Sequence, residues 1–270
     1  MSGRVDPPVP RSWLAVWLPV WLAGLLLAIA VWEIVATRHA ATRVPGDDTW
    51  RRAAAVVRAG HQPGDLIVFA PPWVDPVGRM HLGDLIPVEM AGRMDADRYG
   101  RIWEVAHAGE RAAETAALRP VEERAVGGLV VRRFERTPVE IRADVRELLP
   151  QARIAGPGRP TLELAEVGFT PRRCIQVSPP PGQAVRITFA LPAGTLVGHA
   201  GLADVFTRRD IRAPGTLDVE VGGRVVASVS PGVDDGWVRF AAPIPGGDVT
   251  FVARAPAPQR LICFAAEVRP

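Results

Sequence analysis

The side chains best suited to chemistry are concentrated in one stretch, DPVGRMHLGD, at residues 75–84. Asp75, His81 and Asp84 combine two carboxylates with an imidazole, and these groups serve as general bases or as metal ligands. Further acids follow at Glu89, Asp95 and Asp97. The spacing matches no paired-histidine metal motif, no Gly-x-Ser-x-Gly motif and no phosphate-binding loop. The stretch is therefore either a ligand-binding or catalytic cluster or a set of hydrogen-bonded loop residues, and we predict no metal and no cofactor.

Two other histidines lie in different sequence contexts. His107 ends a predicted strand, and His199 lies in GTLVGHAGLAD, residues 194–204. The glycines of residues 198–204 are typical of a tight loop between strands. Neither histidine has a candidate triad partner nearby in sequence, so we expect both to have structural roles.

Trp237 and Arg239 form a candidate binding pair in the sequence WVRF. In a strand, Val238 and Phe240 would point to one face, and Trp237 and Arg239 would point to the other. If Val238 and Phe240 face the core, the indole and the guanidinium are exposed together, which suits stacking on a sugar ring. The alternative is a tryptophan that caps the end of the domain, because the turn Asp-Asp-Gly precedes it directly.

The two cysteines, Cys174 and Cys263, are predicted to form a disulfide. Each lies in an apolar β-rich run, at opposite ends of the region assigned below to a β-sandwich, whose first and last strands are often neighbours. Disulfides are rare in the cytosol, so this bond would place the region on the periplasmic or external side of a membrane. The alternative is two buried free thiols.

An uncharged stretch of twenty residues, WLAVWLPVWLAGLLLAIAVW, occupies residues 13–32. As a helix it would span a hydrocarbon core of roughly 30 Å, and its terminal tryptophans suit the membrane interface. We predict an uncleaved anchor over residues 13–36, between a tail at 1–12 and a tether at 37–46. The alternative is a cleaved signal peptide with its site at residues 28–30. Two arginines flank each end of the stretch, so the flanking charge leaves the orientation open.

Residues 47–150 alternate between helical and strand patterns, which predicts a small, mainly parallel α/β domain. Helices are predicted at 50–60, 80–93 and 109–119, and strands at 66–69, 101–107 and 127–136. Residues 151–270 instead contain about eight short apolar runs separated by proline and glycine, which predicts an antiparallel β-sandwich or jelly roll. Gly222-Gly223 marks one hairpin of this second domain. The predicted fold class is therefore α/β plus all-β behind an N-terminal transmembrane helix.

The charge composition argues against nucleic-acid binding. The chain has 270 residues with a formal net charge of only +3, and all 32 of its basic residues are arginines. Arginine pairs are scattered and often lie next to acids, whereas nucleic-acid-binding proteins concentrate basic residues in a stripe.

Residues 48–136 resemble the extramembrane C-terminal region of bacterial mannosyltransferase-like membrane glycosyltransferases, which use polyprenyl-phosphate sugars. The segments WRRAAAVV, GDLIVFAPPWVDPVGR, RIWEV and GGLVVRRFER carry the resemblance. In that family the catalytic acids lie in a membrane domain with many spans. This chain has one predicted span, so no catalytic residue is carried over. The C-terminal half, with GLAD, LDVEVGG and DDGW, is similar in outline to carbohydrate-binding jelly rolls.

These observations together predict a non-catalytic protein of the cell envelope, anchored by one span in a bacterial inner membrane with its globular part in the periplasm. It would bind a glycan through Trp237 and Arg239, or assist a multi-span glycosyltransferase. One alternative is a hydrolase or transferase of cell-surface glycans that uses Asp75, His81 and Asp84. A second alternative is a structural scaffold.

Overall fold

A computed structural model of the chain describes residues 13–203 and 213–270, without the side chains of residues 13–16 and 40–43. The expected tail at 1–12 and Asp204 of the expected loop lie outside the described residues. The α/β plus all-β prediction is confirmed: an N-terminal apolar helix is followed by a small α/β lobe and by a larger lobe made of antiparallel sheets.

The N-terminal helix, α1, runs from Trp13 to Arg43. It contains a window from Trp17 to His39 with a mean hydropathy of 2.2 and no burial against the rest of the chain, and it is long and apolar enough to cross a membrane. The helix continues through most of the segment expected to be a tether, because no proline or glycine interrupts it between Gly24 and Pro45. Only residues 44–46 separate it from the next helix.

The α/β lobe has a four-stranded sheet with the strand order β1-β2-β4-β3. Its elements are α2 (Asp47–Gly60), β1 (Leu66–Ala70), α3 (Asp75–Leu82), α4 (Val88–Ala91), β2 (Arg101–His107), β3 (Glu122–Val126) and β4 (Leu129–Glu135), with 3-10 turns at Pro72–Val74 and Gly83–Leu85. Only β1 and β2 are parallel; β2–β4 and β3–β4 are antiparallel. The expectation of a mainly parallel sheet is wrong, because residues 122–135 form a hairpin that turns at Gly127-Gly128 and places β4 antiparallel to both β2 and β3.

The predicted helix at 109–119 is replaced by turns around a buried carboxylate. Glu104 is fully buried on β2 and accepts hydrogen bonds from the Ala112 backbone N–H (2.8 Å), from the Thr115 hydroxyl and from Arg132 (2.8 Å). A buried charge needs such partners, so the segment folds around it despite its helix-forming composition. The predicted helix at 80–93 is also divided, because Gly83 and Pro87 interrupt it between α3 and α4.

The larger lobe is a sandwich of two antiparallel sheets, as predicted. The first sheet has the order β13 (Val238–Ile244), β10 (Gly194–Leu202), β15 (Ile262–Arg269), β8 (Thr170–Val177), β7 (Thr161–Val167), and β5 (Ala143–Asp144) also pairs with β15. The second sheet has the order β12 (Arg224–Val229), β11 (Thr216–Val221), β14 (Gly247–Arg254), β9 (Ala184–Leu191), β6 (Arg153–Ala155). The predicted hairpin at Gly222-Gly223 joins β11 to β12 and is confirmed.

The core between the two sheets begins before the expected boundary at residue 151. Phe251 packs against Phe189 edge to face and against Phe264 in a stack, with ring centroids 5.6 and 4.9 Å apart. Val145, at the start of the short helix α5 (Val145–Leu148), is fully buried in the same core. A 3-10 turn at Leu149–Gln151 then leads into β6. The sandwich lobe therefore begins at β5.

The expected loop at 198–204 is wrong, because residues 194–202 form the strand β10 in the interior of the first sheet. Its glycines are needed for close packing and do not mark a turn. A Cβ on Gly198 would lie 2.3 Å from the Phe240 ring and 2.7 Å from the Ala265 carbonyl oxygen. Only glycine fits beneath that ring without displacing the neighbouring strand.

Candidate functional site

The acids of the 75–84 stretch are held by separate arginines. Asp75 pairs with Arg79 within α3, at 2.5 Å. Asp84 accepts two hydrogen bonds of 2.6 Å from Arg58 of α2. The bonds from Arg58 hold the pKa of this exposed carboxyl below its usual range. Each acid is therefore paired with an arginine, and the two arginines belong to different helices.

His81 belongs to a third arrangement. Its ring stacks on Trp50 with the centroids 6.2 Å apart and the planes at 5°, and its Nε2 lies 3.3 Å from an oxygen of Asp47. Within the described part of the chain, no three potential metal-ligating side chains come together. Asp75, His81 and Asp84 thus lack the shared hydrogen bonds that an acid–base or metal site requires, so the structure gives no support to an enzyme built on them.

The later acids connect the two lobes. Glu89 pairs with Arg173 of β8 at 2.5 Å, and Arg269 of β15 binds Asp95 (2.6 Å) and Asp97 (3.0 Å). Burial raises the pKa of Asp95, but the Asp97 backbone N–H and Arg269 together hold it below the ordinary value. These ion pairs define a seam where the α/β lobe covers the outer face of the first sheet. Their role is structural.

A cavity of about 330 Å³, open to the surface, also lies at the seam. Its lining comes from both lobes and includes Glu89, Arg98, Asp144, Arg146, Leu162 and Arg173. Each of its three arginines forms an ion pair with an acid at the seam. The cavity therefore offers a ligand few uncommitted donors.

His107 and His199 occupy ordered positions, as expected of structural histidines. His107 is half-buried, with its ring 5.7 Å from that of Trp73 in an edge-to-face contact. His199 is 8% exposed on the outer face of β10, beneath the α/β lobe. Burial, with the positive charge of Arg172 next, lowers the pKa of His199 to about 4. The imidazole is therefore neutral at physiological pH.

Trp237 lies across one end of the first sheet, immediately before β13, and is half-buried. Its Nε1–H donates to the Thr170 carbonyl oxygen at 2.8 Å. The Arg172 guanidinium carbon lies 5.2 Å from the indole centroid, and the ring packs beside the disulfide. The indole is thus fixed in place and partly covered, and only part of it is accessible from solvent.

Arg239 lies two residues further along, on the edge strand β13, and it is exposed. Among the described residues, no carboxylate lies within ion-pair distance of its guanidinium. Most arginines in the described part of the chain instead pair with acids. An exposed guanidinium beside a fixed indole offers several planar donors next to an apolar surface.

The predicted disulfide between Cys174 and Cys263 is confirmed. The two residues lie on the adjacent strands β8 and β15, with their Cα atoms 5.6 Å apart. Both are fully buried, together with Ala165 and next to Trp237. The bond therefore ties the strands directly beneath the indole.

The sequence reasoning missed one surface residue at this end of the sandwich, Phe169. It lies in the turn between β7 and β8 and is 79% exposed, with a backbone φ of +62°. The signal was a Gly-Phe pair between the runs LELAEV and RCIQVS, where a hairpin turn would ordinarily carry small or polar residues.

No family model matches the chain, and no curated protein matches it. Similar solved structures include the catalytic domain of Clostridium perfringens ZmpB with its CBM51-1 and CBM51-2 domains, at 13% identity and a TM-score of 0.38 over 57% of this chain and 20% of that one. The CBM51-2 and INT domains of ZmpB, in complex with GlcNAc, match at 13% and 0.37 over 60% and 42%. CBM51 of Clostridium perfringens GH95, in complex with methyl-galactose, matches at 13% and 0.35 over 47% and 99%. The chain spans less than half of the first two, and likenesses this distant carry no argument about its ligand.

Proposed function

We propose that the chain is a membrane-anchored, non-catalytic envelope protein whose sandwich lobe binds a glycan at the end carrying Trp237 and Arg239. The observation that carries this proposal is the exposed guanidinium of Arg239, which has no ion pair among the described residues, two positions along the chain from the fixed indole of Trp237. The indole offers a rigid apolar surface to the C–H groups of a sugar, and the guanidinium offers donors to its hydroxyls or to a uronic carboxylate.

The partial coverage of the indole limits the affinity that such a site could have for a sugar. Arg172 and the disulfide occupy part of the ring surface, so a sugar would contact the exposed remainder of the indole and the Arg239 fork. Few groups would lose water on binding. We therefore expect dissociation constants between millimolar and micromolar, or about 4–8 kcal/mol.

The proposed location is a bacterial inner membrane with the globular part on the periplasmic side. The apolar helix α1 supports a single span, and the disulfide between Cys174 and Cys263 supports an oxidising compartment. The resemblance of residues 48–136 to the extramembrane region of glycosyltransferases suggests a second part of the proposal. The α/β lobe would dock on a multi-span glycosyltransferase, and the sandwich would hold the glycan.

The test uses the full chain in detergent micelles on an array of mono- and oligosaccharides, followed by titration of those that bind. Arg239→Ala is the informative variant because Arg239 is exposed and has no ion pair among the described residues, whereas removal of Trp237 would also disturb the disulfide region. Arg224→Ala, an exposed arginine on β12 of the other sheet, is the matched control. We expect Arg239→Ala to weaken binding severalfold and Arg224→Ala to leave it unchanged. Failure of the wild-type chain to bind any saccharide, or equal binding by Arg239→Ala, would refute the proposal.

A further inference from the structure

The helix α3 and the 3-10 turn before it are apolar on two sides. Val74, Gly78 and Leu82 are buried against the rest of the α/β lobe. Exposed apolar residues occupy another side at positions i, i+3, i+4 and i+7: Trp73, Pro76, Val77 and Met80. This spacing places them together on one face of the helix. We call these four residues the outer apolar face.

The outer apolar face is exposed although its composition suits burial. Trp73 and Met80 are 63% and 80% exposed. A surface helix ordinarily has polar residues on the side away from the core, and a helix that is apolar all round is ordinarily covered. By the helical period, the ion pair of Asp75 with Arg79 falls between the two apolar sides. The helix α3 therefore has the composition of an element that is covered on both sides.

Contacts at both ends of α2 show how it runs along the sheet. Arg101, at the start of β2, donates to the carbonyl oxygen of Gly60, the last residue of α2, at 2.8 Å. Thr49, in the first turn of α2, lies against Gly127 of the β3–β4 hairpin, which is at the other end of β2. The start of α2 therefore lies beside the end of β2. Because β1 is parallel to β2, the end of β1 lies there as well.

The outer apolar face lies at this same end, where the chain arrives from α1. Trp73 follows β1 closely, and its ring contacts that of His107, the last residue of β2. In the last turn of α3, His81 stacks on Trp50 and approaches Asp47 at the start of α2. The face thus extends from the end of β1 to the first turn of α2.

The connection to α1 keeps this end close to the membrane surface that α1 would reach. The apolar window of α1 ends at His39, and the helix continues for four residues, or about 6 Å, to Arg43. The polar headgroup layer is about 5–7 Å thick on each side of the hydrocarbon core. Residues 44–46 add at most about 10 Å. The outer apolar face is therefore within reach of the boundary between headgroups and acyl chains, where interfacial helices lie.

We propose that the outer apolar face inserts into the interface of the bilayer that α1 spans, and so holds the α/β lobe against the membrane. This inference rests on the proposed membrane anchor and goes beyond it, because a span alone would fix only the start of the lobe. Trp73 suits the position, since indole rings prefer the layer between headgroups and acyl chains. Val77 and Met80 would enter the acyl boundary beside it.

The surroundings of the face favour lipid over a protein partner. A stable protein–protein interface buries about 800 Å² on each partner, whereas the outer apolar face is one short helix with four side chains. The charges that border it are paired with each other, Asp75 with Arg79, and Arg51 with Asp47 and Asp48. Their net attraction for anionic headgroups is therefore small, and insertion depends on apolar burial.

The experiment measures the depth of spin labels in the full chain, reconstituted in phosphatidylcholine vesicles. Separate variants carry the label at Met80→Cys on the outer apolar face, at Val225→Cys on β12 and at Leu26→Cys within α1. Val225 is an exposed apolar residue of the second sheet and is the matched control, whereas Leu26 reports whether α1 lies in the bilayer. The native cysteines are joined in the disulfide, so they do not react with the label.

We expect a water-soluble nickel chelate to reach the label at position 80 about fivefold more slowly than the label at position 225. This protection should be unchanged when phosphatidylglycerol is included in the vesicles. Trp73→Ser, added to the Met80→Cys variant, should remove most of the protection. Val121→Ser should leave it unchanged, because Val121 is an exposed apolar residue at the opposite end of the same lobe.

Equal access at positions 80 and 225, with the label at position 26 protected, would overturn the inference and leave the anchor in place. Free access to position 26 would overturn the anchor and the inference with it. Protection at position 80 that disappears when the protein is diluted in excess lipid would assign the face to a second copy of the chain. Protection found only with phosphatidylglycerol would assign it to electrostatic attraction. Either of these results would overturn insertion of the apolar face.

Discussion

The free energy of unfolding should depend on pH because of one buried histidine. His199 lies under the α/β lobe, and the charged groups that face it come from four different segments. Burial lowers its pKa first; Arg172, Arg239 and Arg269 lower it further, and Asp95 opposes them, so that the pKa is about 4. The protein should therefore lose stability wherever an unfolded chain would protonate this imidazole and the folded chain does not.

The sign and the size follow from linkage. An unfolded histidine has an ordinary pKa of 6.5, so between pH 6.5 and about pH 4 the unfolded state binds more protons than the folded state. The stabilising contribution of the neutral imidazole is complete above pH 6.5 and is lost as the pH falls towards 4. At about 1.4 kcal/mol per pKa unit, the difference between these values is worth about 3 kcal/mol.

Two neighbouring acids, Glu267 and Asp95, also change the stability with pH. Their contributions can be distinguished from that of His199. Burial raises the pKa of Glu267 above its ordinary 4.5, so its contribution is present at low pH and is lost as the pH rises. The pKa of Asp95 lies below its ordinary 3.8, so its contribution is lost only at a lower pH than that of His199. The contribution of Glu267 to the pH dependence of stability therefore has the opposite sign to that of His199. The difference between wild type and a His199 variant is more informative than the wild-type profile alone.

The assay is urea unfolding of the full chain in detergent micelles, at a series of pH values from 6.5 down to about 4. We expect the wild type to lose up to about 3 kcal/mol more than His199→Gln over this interval. Thr195→Ala, a change on the same face of β10 without a titratable group, is the control and should follow the wild type. An equal loss in wild type and His199→Gln would refute the argument, because the dependence would then arise elsewhere.

Three further predictions concern the bonds that hold the molecule together. The double variant Cys174→Ser/Cys263→Ser should lose about 2–5 kcal/mol in the free energy of unfolding, and reductant should affect only the wild type; an equal effect on both would contradict it. Arg269→Met leaves acids of the seam without their partner, so the free energy of unfolding should fall by about 3–5 kcal/mol. Proteolysis between the lobes should also be faster than in an Arg153→Met control. Carbonate-washed membranes should retain the full chain with an N-terminus near Met1, whereas an N-terminus after residue 30 or 36 would indicate a signal peptide.

Most strands of the sandwich could be predicted because each is an apolar run that adjacent residues alone make recognisable. Strand β10 could not be predicted in this way. Its sequence carries three glycines, and glycine ordinarily marks turns. In the folded chain, Gly198 lies beneath the Phe240 ring, 42 residues away in sequence, and this contact decides its role. Likewise, residues 109–119 have a helical composition, but the buried carboxylate of Glu104 requires their backbone and hydroxyl donors. In both cases a tertiary contact overrides the local pattern.

The candidate site was predictable to a similar extent. Strand alternation correctly predicted that Arg239 is exposed. The sequence pattern did not predict that Arg172 covers part of the Trp237 ring. Proximity in sequence was misleading for Asp75, His81 and Asp84, because their partners were not evident from the pattern and Arg58 comes from a different helix. Phe169 could have been found from a simple conflict: a two-residue hairpin turn with an aromatic residue where glycine is expected.

The connections between the elements also determine how a glycan-binding end would be presented. Only residues 44–46 join the apolar helix α1 to α2, and three extended residues span about 10 Å at most. The α/β lobe is therefore held close to the end of α1, and the seam ties the sandwich to it through Arg173 and Arg269. A long flexible linker would let the sandwich search a large volume, but this arrangement does not. If α1 spans a membrane, the proposed site at Trp237 and Arg239 would therefore meet glycans at a restricted range of heights above the bilayer.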